Sequence, residues 1–172
     1  MFRMKRLGLV LLVFALAAAP ASAGGGQQAA APAADLDQLL AEFGRAASGF
    51  GATFLLVHLN DLTTDALFDA PLKYSLRAQA RTRTMFYVQG AADADTDLNL
   101  DFRVQQGAEN FEAQRTNIVN FEHGLSVAAG DEIRGILAIE GLFDARSTIL
   151  VYYGGLRVEF TFPPDVVVKI AG

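Results

Sequence analysis

The chain has 172 residues, no cysteine, no tryptophan and a formal charge of −5. Without cysteine it has no disulfide framework, no thiolate metal site, no thiol catalysis and no lipid attached through a thiol. The negative balance argues against nucleic acid, whose affinity comes largely from neutralised phosphates, and against adhesion to anionic lipid.

Met1 to Ala23 opens with Arg3, Lys5 and Arg6, continues in an apolar run from Leu7 to Ala19, and ends in Pro20 and Ala21-Ser22-Ala23. A basic start, an apolar stretch of this length and an A-x-A site are the parts of a secretory signal peptide, so cleavage is expected after Ala23. The run falls short of the roughly 20 apolar residues a spanning helix needs. No membrane span is therefore expected once the signal is removed, and the remaining chain carries 11 basic against 19 acidic residues, a balance of −8. The expected location is the bacterial periplasm or beyond. Residues 24–34 (GGGQQAAAPAA) read as an uncharged disordered linker.

Residues 35–71 read as an N-terminal helical segment. Asp35 and Gln38 have the spacing of an N-cap and its capping-box partner. Leu36, Leu39, Leu40, Phe43 and Ala47 follow at helical spacing, and Gly49 and Gly51 close the pattern. The polar face lacks the basic residues of a membrane-surface helix, so the stripe is expected to pack on its own domain. Thr53 to Leu59 (TFLLVHL) is an apolar run whose period does not separate strand from helix. Its His58 reads as a hydrogen-bonded core residue. Asn60 to Phe68 predicts a short helix, and Pro71 ends the segment.

From residue 72 to 172 the pattern has period two, and an antiparallel β domain is expected, packed with 35–71 as one unit. Tyr74, Leu76 and the alternate residues to Val88 form one face, with Arg77, Arg81 and Arg83 on the other. Gly90 reads as a break before an acidic strand, A-D-A-D-T-D-L-N-L-D-F-R-V from Ala92 to Val104. A three-residue loop at Gly90 to Ala92 would set Arg81 against Asp101 and Thr84 against Leu98, matching charge with charge and apolar with apolar. Further strands are expected within Phe111–Phe121, Leu125–Ala128 and Ile133–Ile139. Gly154-Gly155 predicts a two-residue hairpin that pairs Tyr153 with Leu156, Val151 with Val158 and Ile149 with Phe160. Val166 to Ile170 reads as a closing edge strand. Seven or eight short strands with turns about every ten residues predict a mainly β fold, an antiparallel, jelly-roll-like β-sandwich with an N-terminal amphipathic helix. A small β-barrel is the alternative.

Three groups of residues carry chemistry. Asp93, Asp95 and Asp97 begin like a calcium loop, but Leu98 stands where the turn needs glycine and Val104 where the bidentate glutamate belongs. Glu122 and His123, with Asp131 nearby in sequence, are the catalytic candidates for a hydrolase, yet no G-x-S-x-G elbow accompanies them. A zinc site would need both His58 and His123 plus a carboxylate. Phe86, Tyr87, Tyr152 and Tyr153 offer a carbohydrate platform, or core packing. The sequence therefore predicts a secreted, non-catalytic binding or interaction module of the cell envelope, without a cofactor, whose partner is an envelope protein or a glycan. An outer-membrane β-barrel, a calcium-dependent module and a hydrolase are the alternatives.

Overall fold

The structure, a computed structural model, describes residues 35–171. The signal peptide and linker read at 1–23 and 24–34 lie outside the described residues.

Asp35 caps α1 (Leu36–Phe43), its carboxylate accepting from the Asp37 amide at 3.1 Å. Gln38 does not complete a capping box; its amide donates to Glu42 at 3.0 Å. The helix stops earlier than its apolar stripe predicts, because Gly44 takes an extended backbone and Gly44–Gly49 forms strand β1. β1 pairs antiparallel with β2 (Ala52–His58) around Phe50 and Gly51, both at positive φ. That geometry matches the twist of a two-residue hairpin, so these glycines serve a strand pair rather than a helix end.

Asn60 caps α2 (Asp61–Leu67). Its Oδ1 accepts from the amides of Leu62 and Thr63, while Thr63 Oγ1 accepts from the Asn60 amide at 2.9 Å. α3 (Leu72–Ala80) replaces the first half of the predicted long strand. The segment LKYSLRAQA contains no β-branched residue and is rich in helix formers. As a helix it places Lys73 and Arg77 four residues apart on one face, where both meet Asp65 of α2, and Arg77 also meets Asp61 at 2.8 Å.

β3 (Arg83–Ala92) runs straight through Gly90 and pairs with β2 on one edge and β9 (Glu132–Glu140) on the other. The predicted hairpin with the acidic segment does not form. Arg81 ends α3, Arg83 binds Glu140 at 2.6 Å, and Asp101 binds Arg103 at 3.4 Å. Thr84 to Val88 are buried on both faces, so β3 is a central strand and not half of a two-stranded ribbon. Gly90 stands opposite Phe54 and Ile133. A Cβ there would lie 2.1 Å from the Thr53 carbonyl oxygen and 2.6 Å from the Phe54 ring. The glycine permits a close approach rather than a turn.

β7 (Gln114–Val119) completes a five-stranded sheet in the order β1-β2-β3-β9-β7. β5 (Phe102–Gln106), β6 (Glu109–Glu112), β10 (Ile149–Tyr153) and β11 (Leu156–Phe160) form a second sheet in the order β11-β10-β5-β6. β4 (Thr96–Asp97) and β8 (Ser126–Val127) make a short pair. The fold is mainly β, its strand pairs are antiparallel, and the sheets are not closed into a barrel. That removes the small-barrel alternative. The jelly-roll order is also absent, since β1, β2 and β3 lie side by side as a meander. The Gly154-Gly155 hairpin has the expected register at all three predicted pairs.

The predicted last strand is instead α4 (Pro164–Ala171). Proline is suited to the first helical turn, where its fixed φ is already helical. The amides of Val166 and Val167 both donate to the Pro163 carbonyl at 2.9 Å. Among the described residues no helix is long and apolar enough to cross a membrane. One buried cluster draws on both large sheets. Phe54 of β2 meets Tyr153 of β10 edge-on at 5.2 Å, and Phe86 of β3 meets Phe160 of β11 at 4.9 Å.

Gly90→Ala should therefore destabilise the fold by about 2 kcal/mol, within the usual cost of forcing extra carbon into a packed site. The urea midpoint measures it. An unchanged midpoint would mean that β2 and β3 can separate freely at Phe54.

Candidate functional site

Between Asp93 and Asp101 the predicted acidic strand forms only at Thr96–Asp97, and residues 93–95 bend with Ala94 exposed, so the predicted alternation holds from Asp97 to Phe102 alone. Asp97, Asn99 and Asp101 are exposed while Leu98, Leu100 and Phe102 are buried. Its partner is the loop region around residues 121–131 rather than the arginine strand. The Leu98 amide donates to the Leu125 carbonyl at 2.9 Å, and the Gly124 amide donates to the Leu98 carbonyl at 2.7 Å. The carboxylates are consumed one at a time. Asp93 accepts from Thr53 Oγ1 at 2.9 Å, Asp95 from the Ala129 amide at 2.9 Å, and Asp97 from the Ser126 hydroxyl. Among the described residues no three His, Asp or Glu side chains gather in a way that would hold a metal ion.

The catalytic candidates are likewise separated by their own bonds. His123 is exposed, and its Nδ1 accepts from the Leu100 amide at 3.2 Å, which places the proton of the neutral ring on Nε2. Glu122 accepts from Asn117 Nδ2 at 2.6 Å, and Asp131 accepts from the Ala128 amide at 2.9 Å. Each of the three braces a loop. The aromatic platform is not assembled either. Phe86, Tyr87 and Tyr153 are buried, and Tyr152 donates its hydroxyl to Gln105 at 3.0 Å.

Thr64, Arg134 and Tyr153 each hold one buried side-chain atom without a hydrogen-bond partner, and two more lie close together at the other end of the five-stranded sheet. His58 Nδ1 and Asn60 Nδ2 are both buried and both lack a hydrogen-bond partner. A buried polar atom left unpaired costs about 1–3 kcal/mol. His58 and Asn60 line a cleft of about 520 Å³ where β2 leaves the sheet. Arg81 and Arg83 also line it, and Leu142, Phe143, Ile149 and Ile170 give it an apolar wall.

The local bonding explains why this opening is preformed. The Leu59 amide donates to the Met85 carbonyl at 2.8 Å, which holds the end of β2 against β3. Asn60 then turns the chain into α2. Its Oδ1 is occupied by the helix amides, so Nδ2 is the part of the side chain left without a partner. Loop 141–148 is fastened from two directions. Thr84 Oγ1 accepts from the Phe143 amide at 2.8 Å, and Gln106 exchanges hydrogen bonds with the Asp144 backbone at 2.8 and 3.0 Å.

The charges around the cleft are unequal. Asp61 is neutralised by Arg77 and Arg83 by Glu140. Among the described residues Arg81 has neither an ion pair nor a side-chain hydrogen bond. His58 adds no charge at neutral pH. Burial between the rings of Phe86 and Phe162, with centroids 5.5 and 5.2 Å away, lowers its pKa from 6.5 to about 4.

Sequence reasoning singled out His58 but gave it a partner; its carbonyl accepts from Thr63, while its ring does not bond. It gave Arg81 to Asp101 and passed over Asn60 as a site. The available signal was the run TFLLVHLN, in which two polar side chains end an otherwise apolar strand. The chain matches no protein-family model, and no curated protein matches it.

His58 should make stability depend on pH. Its folded pKa is depressed, so between pH 6.5 and about 4 the unfolded chain takes up a proton that the folded chain refuses. Stability from the neutral ring is present above pH 6.5 and is lost on acidification through that window. Urea melts near pH 7 and pH 5 should show the native chain losing about 2 kcal/mol more than His58→Leu does. Equal losses would show that the ring protonates in the fold.

Proposed function

We propose that the chain is an exported, non-catalytic binding domain of the bacterial cell envelope, built as a β-sandwich, which engages its envelope partner at the cleft beside His58 and Asn60. The signal-peptide pattern of residues 1–23 supports export to the periplasm or the exterior. The edge-on contact of Phe54 with Tyr153 and the contact of Phe86 with Phe160 support a sandwich, because they join side chains of the two large sheets.

The carrying observation is a cleft in which Arg81, unpaired among the described residues, and the polar residues His58 and Asn60 stand against an apolar wall of Leu142, Phe143, Ile149 and Ile170. Apolar pockets with a few convergent polar groups are where proteins hold ligands. Catalysis has less to stand on. Glu122 and His123 face separate structural partners, and Ser126 bonds Asp97 rather than His123. An outer-membrane barrel would require a closed sheet, and a calcium module would require its aspartates to converge.

The chain has no tryptophan, and Leu142 is 64% exposed at the cleft. Leu142→Trp therefore installs a single fluorescent reporter there. Titration with a monocarboxylate, an alkylammonium, a disaccharide and a neutral alcohol should give saturable emission change with at least one class. The same ligand should raise the melting temperature of the unaltered chain, by binding to the folded state. Failure of every class on both readouts would overturn the reading.

A further inference from the structure

We infer that the cleft selects a small ligand with one negative charge on an apolar body, a monocarboxylate, for which the exposed Arg81 supplies the countercharge. This rests on the reading of the cleft as the binding site and goes further by fixing the ligand's charge and polarity.

The charge follows from an accounting of the ionised groups at the opening. Asp61 and Arg77 form one pair at 2.8 Å, and Arg83 and Glu140 form another at 2.6 Å. Among the described residues lining the opening Arg81 is left over, and His58 is neutral near pH 7. One uncompensated cation suits one anion. A phosphate monoester, carrying between one and a half and two charges, would bring surplus negative charge beside Asp61 and Glu140. A cationic ligand would meet Arg81 unshielded.

Donor and acceptor capacity points the same way. A guanidinium has donors and no acceptor. Arg81 therefore recognises an acceptor, and a carboxylate is acceptor-only when ionised. The rest of the ligand is set by Leu142, Phe143, Ile149 and Ile170, which offer it no polar side chain. Leu142 in particular is 64% exposed, an apolar surface that an alkyl chain would cover.

The test uses the full chain, with Leu142→Trp emission and thermal shift of the unaltered chain as parallel readouts. The probes are decanoate, decanol, decyltrimethylammonium and decyl phosphate, each kept below its micellar concentration near pH 7. Decanoate should bind roughly tenfold more tightly than decanol, the contribution of one charge-assisted contact. Decyl phosphate should be weaker than decanoate, and the ammonium should not bind. Arg81→Met should make decanoate and decanol equal, while Arg103→Met, at an exposed position outside the cleft, should preserve the preference. Decanol or the ammonium binding as tightly as decanoate would overturn charge selection and leave the cleft standing as the site. Ala145→Trp, which fills the cleft, should abolish decanoate binding. If it does not, the ligand sits elsewhere and both readings fall together.

Discussion

The packing of this domain depends on two glycines in the middle of adjacent strands. Gly90 on β3 leaves room for the Phe54 ring, and Gly135 on β9 leaves room for the Phe121 ring, whose nearest atom would be 2.0 Å from a Cβ. The two phenylalanines extend toward a common centre. Phe54 meets Tyr153 edge-on at 5.2 Å, Tyr153 stacks on Phe102 at 4.9 Å, and Phe102 lies 6.0 Å from Phe121. Large rings bury far more apolar area than the aliphatic side chains they displace. The strand glycines lose intrinsic β preference and obtain an aromatic cluster that ties the five-stranded sheet to the four-stranded one.

That arrangement also accounts for the acidic segment. Phe121 is fully buried, and from it the chain runs through Glu122, His123 and Gly124 directly beneath Leu98 and Leu100. The buried leucines on one face and the loop's backbone bonds on the other hold the segment in place, and Arg115 adds a hydrogen bond to the Leu100 carbonyl at 2.5 Å. The aspartates project outward and cap neighbouring turns. Of Asp93, Asp95, Asp97 and Asp101 only Asp97 lies in a strand, and Asp131, outside their even spacing, likewise accepts from a loop amide.

Features encoded by neighbouring residues were legible in the sequence. The Asp35 cap, the short helix after Asn60 and the full register of the Gly154-Gly155 hairpin all follow from turn and cap chemistry within a few positions. The partner of β3 was not legible, because period two is compatible with many partners and its edges are claimed by β2 and β9 from distant parts of the chain. The helices α3 and α4 show the same limit. α3 follows the helix formers of LKYSLRAQA over an apparent period of two, its exposed ion pairs to Asp61 and Asp65 adding little. α4 follows a proline-started turn that overrides the β preference of three valines. Satisfaction of a polar atom is a three-dimensional property, which is why His58 was noticed and Asn60 and Arg81 were not recognised as its companions in one cleft.

A contrast between the two polar regions clarifies what marks a site. The acidic segment has the higher density of ionisable groups, yet Asp93, Asp95, Asp97 and Asp101 each already hold a donor or a cation. The cleft has fewer charges, but one cation and two buried nitrogens there have nothing to bond. Asn60 has a folding role as the cap of α2, whereas at residue 58 leucine would fill the space between Phe86 and Phe162 without the desolvation that depresses the imidazole pKa. Unused bonding capacity, more than charge density, is what distinguishes the cleft from the acidic segment.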